Sequence, residues 1–259
     1  MSAVLVGTSH GTDDPAGQAA VRALLAGVRA ARPELDVREA FVDVQQPDVG
    51  EVLVGAVRDA GAAVVVPLLL STGYHVRHDI AQAVAGVNAN GPDGGAAGAD
   101  GIVAGAVAAD PLGPHPLLVD ILADRYAAAE AAHGPFRSDD AVVLAAAGSS
   151  VAAAATAVEE VTSALAQRLG RPVTPSYGAG AEPRVPAAVA AARAAGQGTR
   201  ATRVIVVSYL LASGYFLDRV LEAGADVVTD PVAGPAGAEK ADPRLVQVVL
   251  DRYDAAVRA

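Results

Sequence analysis

Three side chains able to hold a divalent cation and take up protons stand in the first half of this 259-residue chain, and their counterparts in the second half cannot do so. His10 follows the apolar run VLVGTS, Asp43 ends VREAFV, and His75 closes PLLLSTGY. Two imidazoles and a carboxylate suit borderline metals such as Fe2+, Co2+ or Ni2+. Three ligands also leave coordination positions open, which a structural metal site does not. Histidine titrates near neutral pH when unperturbed, so the same groups accept protons. A site that holds a metal loosely and accepts protons fits metal insertion into a ligand that must lose N–H protons.

The contrast comes from an internal repeat. Val64–Ile80, VVVPLLLSTGYHVRHDI, aligns with Ile205–Val220, IVVSYLLASGYFLDRV, so that His75 faces Phe216 in the alignment. Val4–Thr12 aligns with Ala141–Ser149, setting His10 against Ala147, and Val37–Val49 aligns with Val173–Val185, setting Asp43 against Ala179. The segments HPLLVDILADRY and DPRLVQVVLDRY close the two copies. Each copy is long enough for one domain and the period is far too long for a solenoid. The expected division is residues 1–132, carrying the reactive side chains, and residues 137–259, lacking them, with a seam near His133-Gly134-Pro135.

The elements that must position these residues follow from alternating β-branched runs and amphipathic or Ala-rich segments. Strands are expected at Ala3–Thr8, Asp36–Val42, Ala62–Leu69 and Ile102–Val107, then at Ala141–Ala146, Pro172–Tyr177, Arg203–Tyr209 and Asp226–Thr229. Runs this uniformly apolar suit parallel sheets covered on both faces. Helices are expected at Pro15–Ala31, Pro47–Ala60, Arg77–Val87 and Pro116–Ala131, three of them with proline at the first helical position, and with His115 and Asp242 as N-caps. The fold class is therefore α/β: two duplicated Rossmann-like domains, each a four-stranded parallel sheet flanked by helices. Ligands of such sheets bind beyond the carboxyl ends of the strands, where His10, Asp43 and His75 are expected to converge.

Each of these residues has a plainer reading. A histidine in a strand-end turn is often a satisfied polar group, and Asp43 at a strand end is also suited to capping the next helix. His78 and Arg77 lie on the first turn after His75, either solvated or meeting anionic groups of a ligand. The Gly-rich stretch from Asn88 to Gly101 has no counterpart in the second half; it reads as a mobile surface loop, either a lid or a tolerated insertion.

Composition narrows the field. A net charge of −10 opposes general nucleic-acid binding and long-range attraction of an anion, so an anionic ligand needs local Arg, His or backbone N–H groups. The absence of cysteine excludes disulfides, thiolate metal sites and cysteine nucleophiles. Hydrophobic residues make up 52% of the chain but stand in short runs, none near the roughly 18 residues of a membrane span. The chain opens directly on a strand-like run without a basic leader, and the default expectation is a cytoplasmic protein that binds no membrane. No P-loop or G-x-G-x-x-G motif is present to support ATP-driven or dinucleotide chemistry.

Ser9–Thr12 (SHGT), Phe41–Pro47 (F-V-D-x-x-x-P), Val66–Ile80 and Leu112–Pro116 (L-G-x-H-P) together resemble the ATP-independent class II tetrapyrrole chelatases, in particular the sirohydrochlorin and cobalt-sirohydrochlorin branch. The stretch G-x-H-x-x-x-D at Gly73–Asp79 is the most specific part, and the resemblance covers nearly the whole chain. It implies a lyase that inserts Fe2+ or Co2+, with Ni2+ a further candidate, into sirohydrochlorin for sirohaem or cobalamin biosynthesis, with no cofactor beyond that metal. By the same resemblance His10 and His75 bind metal and take up pyrrole protons, with Asp43 at the family's acidic position. Substrate contacts are expected from Ser9, Gly11, Ser71, Thr72, Gly73, Tyr74, Arg77 and His78. The two domains are expected to face each other across a cleft, in a monomer whose partners are the tetrapyrrole and the metal. A non-catalytic metal or tetrapyrrole carrier is the alternative on the same fold, and a pterin- or nucleotide-binding α/β protein is a third.

Overall fold

The computed structural model describes residues 2–71, 73–89, 105–195 and 203–259, with the side chains of Tyr74, His75 and Val76 outside that description. The first repeat runs β1 (Val4–Ser9), α1 (Pro15–Ala31), β2 (Val37–Phe41), α2 (Val49–Ala60), β3 (Ala62–Pro67), α3 (Tyr74–Ala89), β4 (Gly105–Ala108) and α4 (Pro116–His133). The second runs β5 (Ala141–Ala146), α5 (Ala152–Leu169), β6 (Thr174–Tyr177), α6 (Val185–Ala195), β7 (Val204–Tyr209), α7 (Tyr215–Leu221), β8 (Val227–Val228) and α8 (Pro243–Arg258). All pairings are parallel, in the orders β2-β1-β3-β4 and β6-β5-β7-β8.

Period-two alternation sorts the strand side chains between two helical layers. Val4, Val6, Ala63 and Val65 join Val49, Leu53, Ala56 and Ile80 in a core beneath α2 and α3. Leu5, Val64 and Val66 are equally buried but belong to the opposite set of the alternation, the side toward α1 and α8. Gly7 lets α1 approach closely: a Cβ there would stand 2.5 Å from Leu25 Cδ2. In the second sheet Val143, Ala145, Val204 and Val206 form the corresponding core with Val185, Ala188 and Val189 of α6.

The compact units do not follow the repeats. One comprises residues 1–112 and 239–259, the other residues 113–238. They differ from the repeats expected at 1–132 and 137–259 in the placement of two helices: α8 packs on α1 and β3, whereas α4 packs on α5, β7 and β8. The fourth helix of each repeat thus covers the other repeat's sheet. Tyr253 donates its hydroxyl to the Ala3 carbonyl at 2.6 Å, and Arg32 forks onto both Asp254 oxygens at 2.6 Å. Two arginines at matching positions make matching bonds, Arg252 Nη2 to the Leu112 carbonyl at 3.1 Å and Arg125 Nη2 to the Val232 carbonyl at 3.2 Å. The repetition hides this exchange from sequence, because either helix carries the apolar stripe that either sheet requires.

Local boundaries shift for identifiable reasons. Helix α2 starts at Val49, not at Pro47, because Asp48 is its N-cap and accepts from Gly50 N–H at 2.8 Å. Pro47 lies before the helix, after a cis peptide bond. His115 caps α4 through Nδ1, which accepts from Leu117 N–H at 3.2 Å, and Asp242 caps α8 by accepting from Arg244 N–H at 2.9 Å. His133, expected in the linker, is the last residue of α4. Asn88, expected to begin the Gly-rich loop, belongs to α3 and clasps Ala106 with both amide atoms, at 3.0 and 2.8 Å. The remainder of that stretch, 90–101, lies outside the described residues.

Candidate functional site

In the order β2-β1-β3-β4 the chain turns one way from β1 to β2 and the other way from β3 to β4, which puts the topological switch point between β1 and β3. Crevices of this kind open beyond the strands' carboxyl ends. His10 is the first residue after β1, Asp43 lies two residues after β2, and His75 is the second residue of α3, which β3 feeds. All three belong to the same edge of one sheet.

The backbone holds the first two side by side. Val42 N–H donates to the Ser9 carbonyl at 3.0 Å and Asp43 N–H to the His10 carbonyl at 3.1 Å, extending the β1–β2 ladder past the strand ends. The turn then closes on itself through Gln45 N–H to the Asp43 carbonyl and Phe41 N–H to the Pro47 carbonyl. Gln45 Oε1 reaches back to accept from Thr12 N–H at 3.0 Å, tying this turn to the one after His10. Gly11 has φ +94°, and a Cβ there would stand 2.5 Å from the Asp43 carbonyl oxygen, so the two turns interlock only around a glycine.

Asp43 does not cap the following helix, a duty that belongs to Asp48; its Oδ1 instead accepts from Val44 N–H at 2.8 Å. Ser9 is buried in β1, whereas His10 is exposed. Ser71 and Gly73 are partly buried, and the Gly73 carbonyl accepts from Arg77 N–H at 3.2 Å at the start of α3. Arg77 and His78 are exposed on the first turns of α3, where His78 Nε2 pairs with Gln82 Nε2 at 2.9 Å. Thr72, and the side chains of Tyr74 and His75, lie outside the described residues. No group of three His, Asp or Glu able to hold a metal is found among the described residues, a set that excludes the His75 side chain. Sequence reasoning passed over Gln45 and Val44, although the run V-Q-Q-P-D between the strand and the helix cap marks a turn whose side chains must bond locally.

The second repeat reproduces this framework without the reactive groups. Gly178 N–H donates to the Ala146 carbonyl, Ala179 N–H to Ala147, Ala181 N–H to Ala179 and Tyr177 N–H to Pro183, bond for bond as in the first repeat. Asp218 N–H donates to the Gly214 carbonyl as Arg77 does to Gly73. Phe216 lies against Gly178, where an added Cβ would come within 2.8 Å of the ring, and it packs on the core of its own unit.

The sequence model of the CbiX family matches residues 4–129 and 141–256, one match to each repeat. The chain belongs to the CbiX family. This bears out the resemblance to the class II chelatases. No curated protein matches the chain in sequence. Among solved structures, SirB from Bacillus subtilis with Fe3+ is 18% identical, with a TM-score of 0.77 over 99% of this chain and 96% of that one. SirB from B. subtilis subspecies spizizenii in complex with cobalt is 17% identical, with a TM-score of 0.74 over the same shares. A CbiX described as the terminal enzyme for biosynthesis of sirohaem in denitrifying bacteria is 21% identical, with a TM-score of 0.61 over 98% of this chain and 99% of that one. These likenesses bear out the duplicated α/β fold. Among the described residues no helix is long and apolar enough to cross a membrane.

Proposed function

We propose that this CbiX-family protein inserts a divalent metal, Fe2+ or Co2+, into sirohydrochlorin without ATP, acting as a lyase in sirohaem or cobalamin biosynthesis. The metal is a substrate, and no further cofactor is required. His10 and His75 hold it, with Asp43 as the third ligand. The macrocycle gives up two pyrrole N–H protons, which the two imidazoles accept as the metal passes to the ring nitrogens. Arg77 and His78, with the N–H groups near Ser9, Gly11 and Ser71–Tyr74, meet the substrate's carboxylates. A single cytoplasmic chain suffices.

The observation that carries this reading is the pairing of two near-identical backbone frameworks, of which one alone bears His10 and Asp43 at adjoining positions. A framework kept in both repeats is a matter of folding; ionisable groups kept in one are a matter of chemistry. The SirB structures with iron and with cobalt support the choice of metals. The test is metallation of sirohydrochlorin, followed by absorbance, for the wild type, His10→Ala, His75→Ala and Asp43→Ala. Loss of a proton-accepting metal ligand is expected to slow insertion by at least about a hundredfold. Full activity in both histidine variants overturns the mechanism. Stoichiometric tetrapyrrole binding with no rate above the spontaneous one establishes a carrier instead.

A further inference from the structure

Val44 is the one residue other than glycine with positive φ among the described residues, at +55°. A β-branched residue is poorly suited to the left-handed region, and such conformations persist where the surroundings impose them and a function uses them. The second repeat solves the same turn without strain: its equivalent residue is Gly180, at φ +70°. Glycine is therefore the conformationally favoured choice, and the first repeat does not use it. Val44 is also 50% exposed as a residue, an apolar group in water between Asp43 and Gln45. It is one of few large hydrophobic side chains exposed to this degree. Its Cβ would lie 3.1 Å from a Cβ at Gly11, which puts it directly beside the turn after His10.

Two roles of Val44 separate. Its N–H holds the Asp43 carboxylate at 2.8 Å, a bond that any residue other than proline can make. That bond explains the turn but not the isopropyl group. The geometry points to Val44 as an apolar contact for the face of the carboxylate-bearing tetrapyrrole macrocycle, lying over the His10–Asp43 turn. This inference rests on the tetrapyrrole reading given above. An apolar group already fixed in place loses little entropy on meeting a ligand, and covering its exposed half favours the complex.

The test is titration of sirohydrochlorin against wild type, Val44→Gly and Val44→Asn, with Co2+ titration and thermal unfolding alongside. Both replacements tolerate left-handed φ and keep the N–H, so the expected outcome is an unfolding midpoint equal to or above wild type. Co2+ binding stays unchanged while tetrapyrrole Kd rises about fivefold. Unchanged tetrapyrrole affinity in both variants overturns the inference. So does loss of Co2+ binding in Val44→Asn, since Val44 would then serve the turn and not the ligand. Wild type that binds the tetrapyrrole but does not metallate it defeats the enzymatic reading, while the contrast in Kd still decides the role of Val44.

Discussion

Asp43 donates its backbone N–H to the His10 carbonyl at 3.1 Å, and Ala179 donates to Ala147 in the same way at 2.8 Å. The bond joins two residues 33 positions apart in sequence, yet it uses only main-chain atoms. Evolution of either side chain thus leaves the bond untouched, and the two repeats have diverged at these positions without changing the turn. Chemistry and scaffold are separable here at the level of single atoms.

Gly11 is where the scaffold tolerates least. Gly11→Ala combines φ +94° with a Cβ 2.5 Å from the Asp43 carbonyl oxygen. The expected cost is about 2 kcal/mol of stability. Because the clash pushes the His10 and Asp43 turns apart, Co2+ affinity falls as well. Urea unfolding and Co2+ titration of this variant check both effects, and wild-type values in both would show that the turns adjust freely.

Much of this arrangement was legible in the sequence. Strand ends came out within a few residues because the apolar runs stop where the turns begin, and α1 was read at its observed limits because Pro15 and the apolar stripe both mark them. The adjacency of the turns after β1 and β2, which carry His10 and Asp43, followed from the same alternation. What escaped was non-local. Exchange of α4 and α8 depends on which of two similar stripes meets which sheet, and a repeat supplies no local signal to choose between them. The turn conformation at Val44 escaped for the opposite reason, since valine argues against the conformation it adopts.

If the frameworks are equivalent, the silent repeat should accept a site. Ala147→His, Ala179→Asp and Phe216→His together place the three ligand types on the second scaffold. Replacing the Phe216 ring that lies on Gly178 is expected to cost about 2 kcal/mol. Within a folded variant, bound Co2+ should rise from one to two per chain, with the second site the weaker. A stoichiometry that stays at one would mean that the main-chain match does not extend to side-chain directions.

The anchor of the exchanged helix gives a pH dependence. Hydrogen bonding from Arg32 outweighs burial and holds the Asp254 carboxyl below its usual range. A carboxyl with a folded pKa below its unfolded value of about 3.9 contributes stability above that pH and loses it as pH falls through the folded value. Asp254→Asn should therefore lower stability by about 1 kcal/mol at pH 7. At pH 3 the gap should be smaller, because part of the wild-type advantage is already lost. Urea unfolding at the two pH values checks this; a gap that widens in acid would contradict the sign.

The helix exchange makes a sharper demand on fragments. Cutting at the repeat seam, after Gly134, yields a first piece that contains β1–β4 but lacks α8, the helix bearing Tyr253 and Asp254. It carries α4 instead, whose buried Leu118, Ile121 and Leu122 belong against the other sheet. Residues 1–134 alone should then show no cooperative unfolding as a monomer, while co-expression with 135–259 should return a one-to-one complex, each piece supplying the other's covering helix. Calorimetry and size-exclusion chromatography of the separate and combined pieces read this out. A first piece that melts cooperatively as a monomer would show that α4 can fold back onto its own sheet, and that the exchange is a preference and not a requirement of the sequence.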